Sequence, residues 1–407
     1  MEDVVIVGAG IAGLATAVAL KRVGIQALVL ERSDTLRVSG AALNLAPNAW
    51  IALEALGVAH KLFSLYAPFS RGTITNVPTG QVREITLPPN NKGLRSVHRR
   101  VLLQALAEEL PTDSIRFSSK LSAIGTQEEG GFSIPVLHLE DGTTIKSKVL
   151  IGCDGVHSPV GRWLGLSEPI HSGRSAVVGL THLPQGHDYE LQQFVDVGRR
   201  AGIARLNDKE VYWFLTCPEG NDITRNPELI QQAVIEKYAK DLPSKYIELV
   251  RQADVSSLTW TPLMLRQPWN VIFGTLSKGN ITVAGDAMHP MTPDLGQGGC
   301  SALEDAVVLG RHIGNSFIKN GGIVAQEMPD VLNEYVKERR YRVAALITGS
   351  YISGWIQQGS SWMMRFLRDT IFYGFLFRRA LNAVVYDCGE LPCISTSANQ
   401  NSSNKTD

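Results

Sequence analysis

Blocks of apolar residues at the amino end of the chain predict a strand, a helix and a second strand. Residues 4–7, Val-Val-Ile-Val, form the β-branched run typical of a buried strand. Residues 14–20 are apolar but rich in alanine, which favours a helix, and Gly24 is the predicted end of that helix. Residues 27–30 repeat the strand pattern and are followed by Glu31. This order predicts a β–α–β unit, the building block of parallel α/β sheets.

Later apolar runs extend this pattern and then interrupt it. We predict strands at residues 115–117, 134–139, 148–152, 176–180, 193–197, 211–215 and 281–284, and a hairpin at 71–87. We predict helices that end at Leu56, that start at Ser96 and at Ser301, and that cover 227–240, 244–252, 331–347, 360–369 and 371–384. Strand-like runs dominate from 168 to 274, which indicates a sheet domain inserted into the α/β pattern.

These elements predict an α/β fold with an α+β insertion. It would consist of a Rossmann-like nucleotide-binding domain, an inserted and mainly antiparallel β-sheet domain for the substrate, and C-terminal helices. The predicted boundaries are 1–70, 96–167 and 275–330 for the first domain, 71–95 and 168–274 for the second, and 331–386 for the helices. Residues 387–407, which end in a run rich in serine and asparagine, are predicted to be a disordered tail.

Composition narrows the possible partners. The 39 basic side chains balance the 39 acidic ones, so no net charge would attract nucleic acid or an anionic membrane. The longest stretch without charge, 343–364, is diluted by Thr, Ser, Gly and Gln, and we predict no membrane-spanning segment. Five scattered cysteines, and a first strand that begins almost at Met1, favour a reducing, cytoplasmic location.

Three glycines follow the first strand in the spacing Gly-x-Gly-x-x-Gly. Gly8 permits a tight turn, Gly10 lets a pyrophosphate approach the backbone, and Gly13 lets the helix pack closely on the strand. Glu31, at the end of the second strand, is placed to accept hydrogen bonds from a ribose. An acid there favours NAD or FAD over a cofactor with a 2′-phosphate, although Arg32 weakens that distinction. The motif therefore predicts a dinucleotide site.

Two further carboxylates each follow a strand end that contains glycine. Asp154 follows strand 148–152, and Asp286 follows strand 281–284. Because ligands of open α/β sheets bind at the carboxyl ends of the strands, we expect both carboxylates to face one cofactor. A Pro- and Gly-rich loop, 290–299, then leads into a helix whose unpaired first amides would attract an electron-rich group.

Arginine and aromatic residues elsewhere leave alternatives open. Arg99 and Arg100 lie at the start of a predicted helix, where they either extend into solvent or hold an anion. In the predicted strand 211–215, Tyr212 and Phe214 share one face. Aromatic residues in such a strand are more often part of the core, but this face could also roof a pocket.

The sequence offers little support for a metal site or a protein nucleophile. His289 follows Asp286 by three residues, but no second histidine or cysteine cluster supports a metal, so we predict a hydrogen-bonding role. Cys300 lies near a helix start, which can activate a thiol, yet no base accompanies it. The sequence contains no Gly-x-Ser-x-Gly, His-Glu-x-x-His or Walker A motif.

Taken together, the glycine motif with Glu31, the Asp154-Gly155 pair, and Gly285-Asp286 with its loop resemble one enzyme family. They are similar to the single-component (group A) FAD-dependent aromatic monooxygenases of the para-hydroxybenzoate hydroxylase and salicylate hydroxylase type. The plant branch of that family, which includes relatives of zeaxanthin epoxidase, looks closest. The resemblance covers about residues 1–386.

The resemblance implies which residues bind FAD. They are Gly8, Gly10, Ile11, Ala12, Gly13, Glu31, Arg32, Arg99, Asp154, Gly155, Asp286, Pro293, Gly296, Gly298, Gly299 and Cys300. Asp286 would contact the ribityl and pyrophosphate region, and Pro293 would lie beside the isoalloxazine ring. This chain departs from the family pattern at two places. Gly161 displaces Arg162 by one position, and Cys300 stands where the family commonly has asparagine.

The resemblance also implies the chemistry. NAD(P)H would reduce the flavin, O2 would form a flavin C4a-hydroperoxide, and a small phenolic or aryl-carboxylate substrate would be hydroxylated without a catalytic protein nucleophile. Candidates for the substrate pocket are Arg71, His182, Tyr212 and Phe214. Two alternatives remain: epoxidation or another oxygenation of a non-aromatic substrate on the same fold, and an FAD-binding protein without turnover.

Overall fold

The computed structural model describes residues 1–36, 41–87, 92–220, 225–359, 364, 367 and 385–393. The helix predicted at 371–384, most of the helix predicted at 360–369, and residues 394–407 of the predicted tail lie outside the described residues.

The strands alternate with helices at both ends of the chain and run in succession in its middle. The strands are β1 Glu2–Val7, β2 Ala27–Leu30, β3 Ala42–Leu45, β4 Arg71–Asn76, β5 Val82–Thr86, β6 Arg95–His98, β7 Ile115–Arg116, β8 Leu121–Glu129, β9 Phe132–Leu139, β10 Thr144–Gly152, β11 Ile170–His182, β12 Leu191–Asp196, β13 Arg199–Arg205, β14 Glu210–Pro218, β15 Thr259–Leu265, β16 Ser277–Lys278 and β17 Ile281–Val283. The helices are α1 Ile11–Arg22, α2 Pro47–Ala55, α3 Ala59–Phe63, α4 Arg99–Ala107, α5 Pro159–Trp163, α6 Pro227–Ala233, α7 Ser244–Arg251, α8 Pro268–Ile272, α9 Gly298–Asn320 and α10 Met328–Gln358. Short 3₁₀ turns occur at Thr112–Ser114, Val255–Ser257, Gly285–Ala287 and Pro293–Leu295, and a π turn occurs at Val234–Tyr238.

The first sheet brings the predicted ligand-binding strand ends to one edge. Its order is β16-β17-β10-β1-β2-β7, and β17, β10, β1, β2 and β7 are mutually parallel. The β8–β9 hairpin extends from β10, and β16 pairs antiparallel with β17. Since β1, β10 and β17 are neighbours, the residues that follow them meet at the same edge of the sheet, as the α/β prediction required.

The second sheet is mainly antiparallel, as predicted. Its order is β15-β11-β14-β13-β12-β4-β5, and only the β12–β4 pair is parallel. One face packs on α6 and α7, where Trp213 contacts Tyr246 edge-on at 6.1 Å between ring centroids. The opposite face contributes Tyr212 to the core of the first sheet. Side chains of one strand thus alternate between two cores, as strand geometry demands.

Helix α9 crosses α1 closely, and the described carboxyl-terminal residues lie on α9. A Cβ placed on Gly310 would come within 2.6 Å of Ala19 Cβ, so glycine permits the close crossing. Leu391 also lies against Gly310, and Cys388 is 1% exposed. Cys388 and Leu391 thus pack within the described part of the predicted tail, a contact that the sequence pattern did not show. No helix in the described part of the chain combines the length and apolarity needed to cross a bilayer.

Several element boundaries differ from the sequence prediction. The helix predicted from Ser96 starts at Arg99, because Arg95–His98 pairs with β3 as a strand. The helix predicted at 227–240 ends at Ala233 and continues as a π turn. Strands β8 and β13 were not predicted, since β8 ends in polar residues and β13 begins with two arginines. Helix α10 continues well beyond the predicted 331–347.

Candidate functional site

The glycine turn after β1 is open on one side and tightly packed on the other. Gly8 has φ +103°, and a Cβ there would lie 2.5 Å from the carbonyl oxygen of Cys153 at the end of β10. A Cβ on Gly13 would overlap the carbonyl oxygen of Gly8. By contrast, a Cβ on Gly10 would meet no other described atom within 4 Å. Of the three glycines in the motif, only Gly10 therefore has open space that a ligand could occupy.

Glu31 ties this turn to the end of β2. Its carboxylate accepts hydrogen bonds from the amides of Ala9, at 2.8 Å, and Ser33, at 2.9 Å. Carboxylate oxygens have further lone pairs, so a ribose hydroxyl can still be bound. Arg32 points outward and is exposed. Among the described residues no side chain caps α1, so the first amides of α1 face the open side of the turn.

Asp154 organises the loop after β10. It accepts hydrogen bonds from the Ser158 hydroxyl and from the Val160 amide, at 3.1 Å. Burial raises the pKa of Asp154, and these two hydrogen bonds oppose the rise. Arg162 lies 3.7 Å from Glu168 at an exposed position and forms no ion pair with Asp154. The shift caused by Gly161 thus leaves this arginine on the surface.

Asp286 is the most accessible carboxylate of the three motifs. It is exposed, whereas Gly285 and Ala287 on either side are buried. A Cβ on Gly285 would lie 2.7 Å from Ala12 Cβ, and one on Gly298 would lie 4.0 Å from Asp286 Oδ1. The start of α1, the end of β17 and the start of α9 therefore border one cleft at the carboxyl edge of the sheet.

Helix α9 starts at Gly298, three residues earlier than predicted. Its first helical bond joins the Ser301 amide to the Gln297 carbonyl at 2.8 Å, and among the described residues no side chain caps this end. The preceding amides belong to Gly298, Gly299 and Cys300, and unpaired amides at a helix start attract negative charge. Pro293 is exposed beside this helix start, in the same loop.

Cys300 is not poised as a nucleophile. It is fully buried, and its thiol donates to the carbonyl oxygens of Gly296 and Asn44 at 3.4 and 3.7 Å. Burial raises the pKa of the Cys300 thiol to about 12, so the thiol remains neutral at physiological pH. The helix start does not compensate for the lost hydration.

Tyr212 and Phe214 lie on the face of β14 that is turned toward the first sheet, with their ring centroids 6.2 Å apart. The Phe214 ring lies over Gly202 of β13, where any Cβ would overlap it. The other two pocket candidates do not join them. Arg71 is exposed and alternates with buried Gly72 along β4, and His182 is exposed at the end of β11.

Two arginines from the second sheet bind the loop that leads to α9. Arg174 of β11 makes a bidentate ion pair with Asp294, at 3.0 and 2.7 Å. Arg200 of β13 lies 3.4 Å from the same carboxylate and 5.4 Å from the Phe214 ring centroid. Sequence reasoning missed all three charged residues. The position of Asp294 inside the Pro-Gly loop was the only available signal.

Arg99 and His98 lie where β6 passes into α4. The Arg99 amide donates to the Ala41 carbonyl at 3.4 Å. His98 Nδ1 lies 2.9 Å from the Tyr66 hydroxyl, and His98 Nε2 lies 3.6 Å from Glu210, just before the aromatic part of β14. Burial lowers the pKa of His98, which favours its neutral form.

The fold and this cleft define a dinucleotide-dependent oxidoreductase. An open glycine, two uncapped helix starts and an exposed carboxylate are the features that a bound dinucleotide requires. Arg200 joins the Asp294 loop to Phe214, which with Tyr212 forms a pair of aromatic rings that we call the aromatic wall.

Comparison with known proteins gives the particular family. Residues 1–350 match the family model described as FAD binding domain. The chain is 41% identical to Monooxygenase 2 of Arabidopsis thaliana over 404 residues, which covers 96% of this chain and 98% of that protein. It is 36% identical to Monooxygenase 1 of the same plant over 400 residues, covering 96% of this chain and 100% of that protein. The structure of Klebsiella pneumoniae HpxO complexed with FAD and uric acid matches with a TM-score of 0.79 at 24% identity, covering 95% of this chain and 96% of that one. The chain thus belongs to the FAD-binding-domain family and is an FAD-dependent monooxygenase, as its motifs predicted.

Proposed function

We propose that this monooxygenase uses NAD(P)H and O2 to hydroxylate a small phenolic or aryl-carboxylate substrate. The observation that carries the proposal is an excess of positive charge beside the aromatic wall. Arg174 and Arg200 share the single carboxylate of Asp294, and Arg200 is 7% exposed. Two guanidinium groups that share one carboxylate leave one positive charge unneutralised. This favours an anionic ligand, since burying an unneutralised charge is costly.

We further propose that the residues predicted from the motifs hold FAD. Bound FAD supplies the two-electron reduction and the activation of oxygen. The open side of Gly10 and the first turn of α1 would bind the pyrophosphate, and Asp286 would bind the ribityl hydroxyls. The amides at the start of α9 would stabilise negative charge on the ring, because they are oriented before the charge develops.

The substrate ring would lie against Tyr212 and Phe214, with its acidic group toward Arg200. Burial raises the pKa of Tyr212, so its hydroxyl remains protonated and can donate a hydrogen bond. The ion pair between Arg174 and Asp294 would fix the separation between this wall and the loop that carries Pro293. The uric acid in the matched HpxO structure supports a planar ring as the ligand of this fold.

A substrate-stimulated NADH and NADPH oxidation screen with matched pairs tests this proposal. Hydroxybenzoates should accelerate oxidation and gain one oxygen in mass, whereas their neutral amides should act with a KM raised about tenfold or more, by the loss of one charged contact. Arg200→Met should raise the KM of the acid toward that of the amide. Stimulation by alkenes alone would favour the epoxidase reading. Flavin that neither nicotinamide cofactor reduces would favour binding without turnover.

A further inference from the structure

A buried cluster of charged side chains supports the loop between β17 and α9 from behind. The cluster consists of Glu304, Asp305, Arg339 and Arg342. Glu304, Asp305 and Arg339 are each 0% exposed. Arg339 pairs with Glu304 and with Asp305, both at 2.7 Å, and Arg342 pairs with Glu304 at 2.9 Å. Arg342 is partly exposed, and its charge completes a balance of two anions and two cations that makes the burial of the other three tolerable.

Asp305 holds the front end of the loop. Its Oδ2 accepts the Gly285 amide at 2.8 Å and lies 2.6 Å from His289 Nε2. Gly285 immediately precedes Asp286, and His289 follows it by three residues. Burial alone would raise the pKa of Asp305, but His289 and Arg339 outweigh burial and hold that pKa well below its usual range. Asp305 is therefore an anion whenever the protein is folded at physiological pH.

Glu304 holds the back end of the same loop through one neutral side chain. Asn48 of α2 donates from Nδ2 to Glu304 Oε1, at 2.5 Å, and to Gln297 Oε1, at 2.9 Å. Gln297 directly precedes α9, so its position sets where the first amides of that helix begin. Both ends of the loop are thus fixed by consecutive residues of one rigid helix.

We propose that Glu304 and Asp305 are positioning residues for FAD: they set the separation between Asp286 and the amides that start α9. Neither carboxylate faces the cleft, because the groups that pair with each carboxylate lie on its buried side. Their effect on the cofactor passes through Gly285 and through Asn48 with Gln297. Charge-assisted hydrogen bonds in a dry interior are strong and allow little variation in distance, which suits this role.

The test measures FAD affinity, not turnover. Asp305→Asn keeps an oxygen for the Gly285 amide but removes the charge that orients His289 and Arg339. The expected result is a dissociation constant for FAD about 10- to 100-fold higher, by analogy with residues that orient the ligands of a bound metal. The visible circular dichroism of the bound flavin should change as well. Fluorescence titration of the apoprotein with FAD gives the first quantity, and spectra at saturating FAD give the second.

Asp196→Asn is the matched control. Asp196 is a buried carboxylate that also pairs with one arginine, Arg199 at 2.6 Å, and accepts one backbone amide, Val197 at 2.7 Å, but it is the last residue of β12. It should lower stability yet leave FAD affinity and the flavin spectrum unchanged. If Asp305→Asn binds FAD within twofold of the parent, or if the two variants weaken FAD equally, the proposal is wrong.

A second variant decides the matter if Asp305→Asn does not fold. Asn48→Leu is uncharged, keeps the number and branching of the side-chain heavy atoms, and removes the amide that links Glu304 to Gln297. It should raise the dissociation constant for FAD about three- to tenfold, the equivalent of one neutral hydrogen bond. An unchanged constant in folded Asn48→Leu protein would overturn the proposal on its own.

Discussion

Separate alanine substitutions at Gly8 and Gly10 should distinguish the folding role of the glycine turn from its binding role. At Gly8 the methyl group would lie 2.5 Å from the carbonyl oxygen and 2.9 Å from the carbonyl carbon of Cys153, both backbone atoms that cannot rotate away. The backbone angle of φ +103° adds strain. A disfavoured positive φ costs alanine about 1–2 kcal/mol, and overpacking costs about 1–3 kcal/mol. We therefore expect the free energy of unfolding of the apoprotein to fall by about 2–5 kcal/mol in Gly8→Ala.

Gly10 differs in both respects. Its φ of −82° and ψ of −172° are ordinary extended values that alanine adopts readily. No other described atom lies within 4 Å of a Cβ placed there, so Gly10→Ala should leave the unfolding free energy of the apoprotein within about 1 kcal/mol of the parent. The same methyl group would occupy the side from which the pyrophosphate approaches. The dissociation constant for FAD should therefore rise at least tenfold, about 1.4 kcal/mol.

Urea unfolding of the two apoproteins and fluorescence titration with FAD measure these quantities. The parent chain gives the reference for both. If Gly10→Ala binds FAD as tightly as the parent, the open side of the turn does not hold the pyrophosphate. If Gly8→Ala is as stable as the parent, the close packing of the turn on β10 is not a constraint on folding, and the contrast between the two glycines fails.

Three further substitutions test other parts of the site. Asp286→Ala should lose FAD on dialysis while its apoprotein unfolds at the parent's urea concentration, because Asp286 is exposed; retention of FAD would refute its role. Gly202→Ala should displace the Phe214 ring and raise the substrate KM several-fold without changing FAD affinity. If the substrate KM and the dissociation constant for FAD rise by the same factor, Phe214 lies outside the pocket. Burial lowers the pKa of His98 below its unfolded value of about 6.5, so its contribution to stability is present above that pH and is lost as the pH falls through the lower folded value. His98→Asn should show a smaller fall in melting temperature between pH 7 and pH 5 than the parent, and identical slopes would count against this assignment.

The elements predicted well are those whose cause is local. The strand from 27 to 30 was predicted to the residue, since a short apolar run between Gly24 and Glu31 allows few other structures. Gly8 could be recognised because its turn needs a conformation that only glycine adopts easily. The shared face of Tyr212 and Phe214 followed from strand geometry alone.

The charged residues of the site could not be found in this way. Arg174 and Asp294 are 120 residues apart in the chain, and Arg200 and Asp294 are 94 apart. Arg200 belongs to β13, a strand that its own sequence did not predict. The pairing of Asp305 with Arg339 joins two helices, and no sequence pattern predicted that these side chains would meet.

The sequence by itself determined the cofactor class, because the glycine turn, the acid after β2 and the loop after β17 are short-range requirements of binding a dinucleotide. Only the tertiary structure decided which residues hold the predicted cofactor-binding loop in place and which residues face it. Burial converts charges that would be weak on a surface into strong, fixed contacts, and only folding brings those partners together. For this reason the loop from Gly285 to Gln297 is readable in the sequence, whereas the carboxylates that hold its two ends are visible only in the fold.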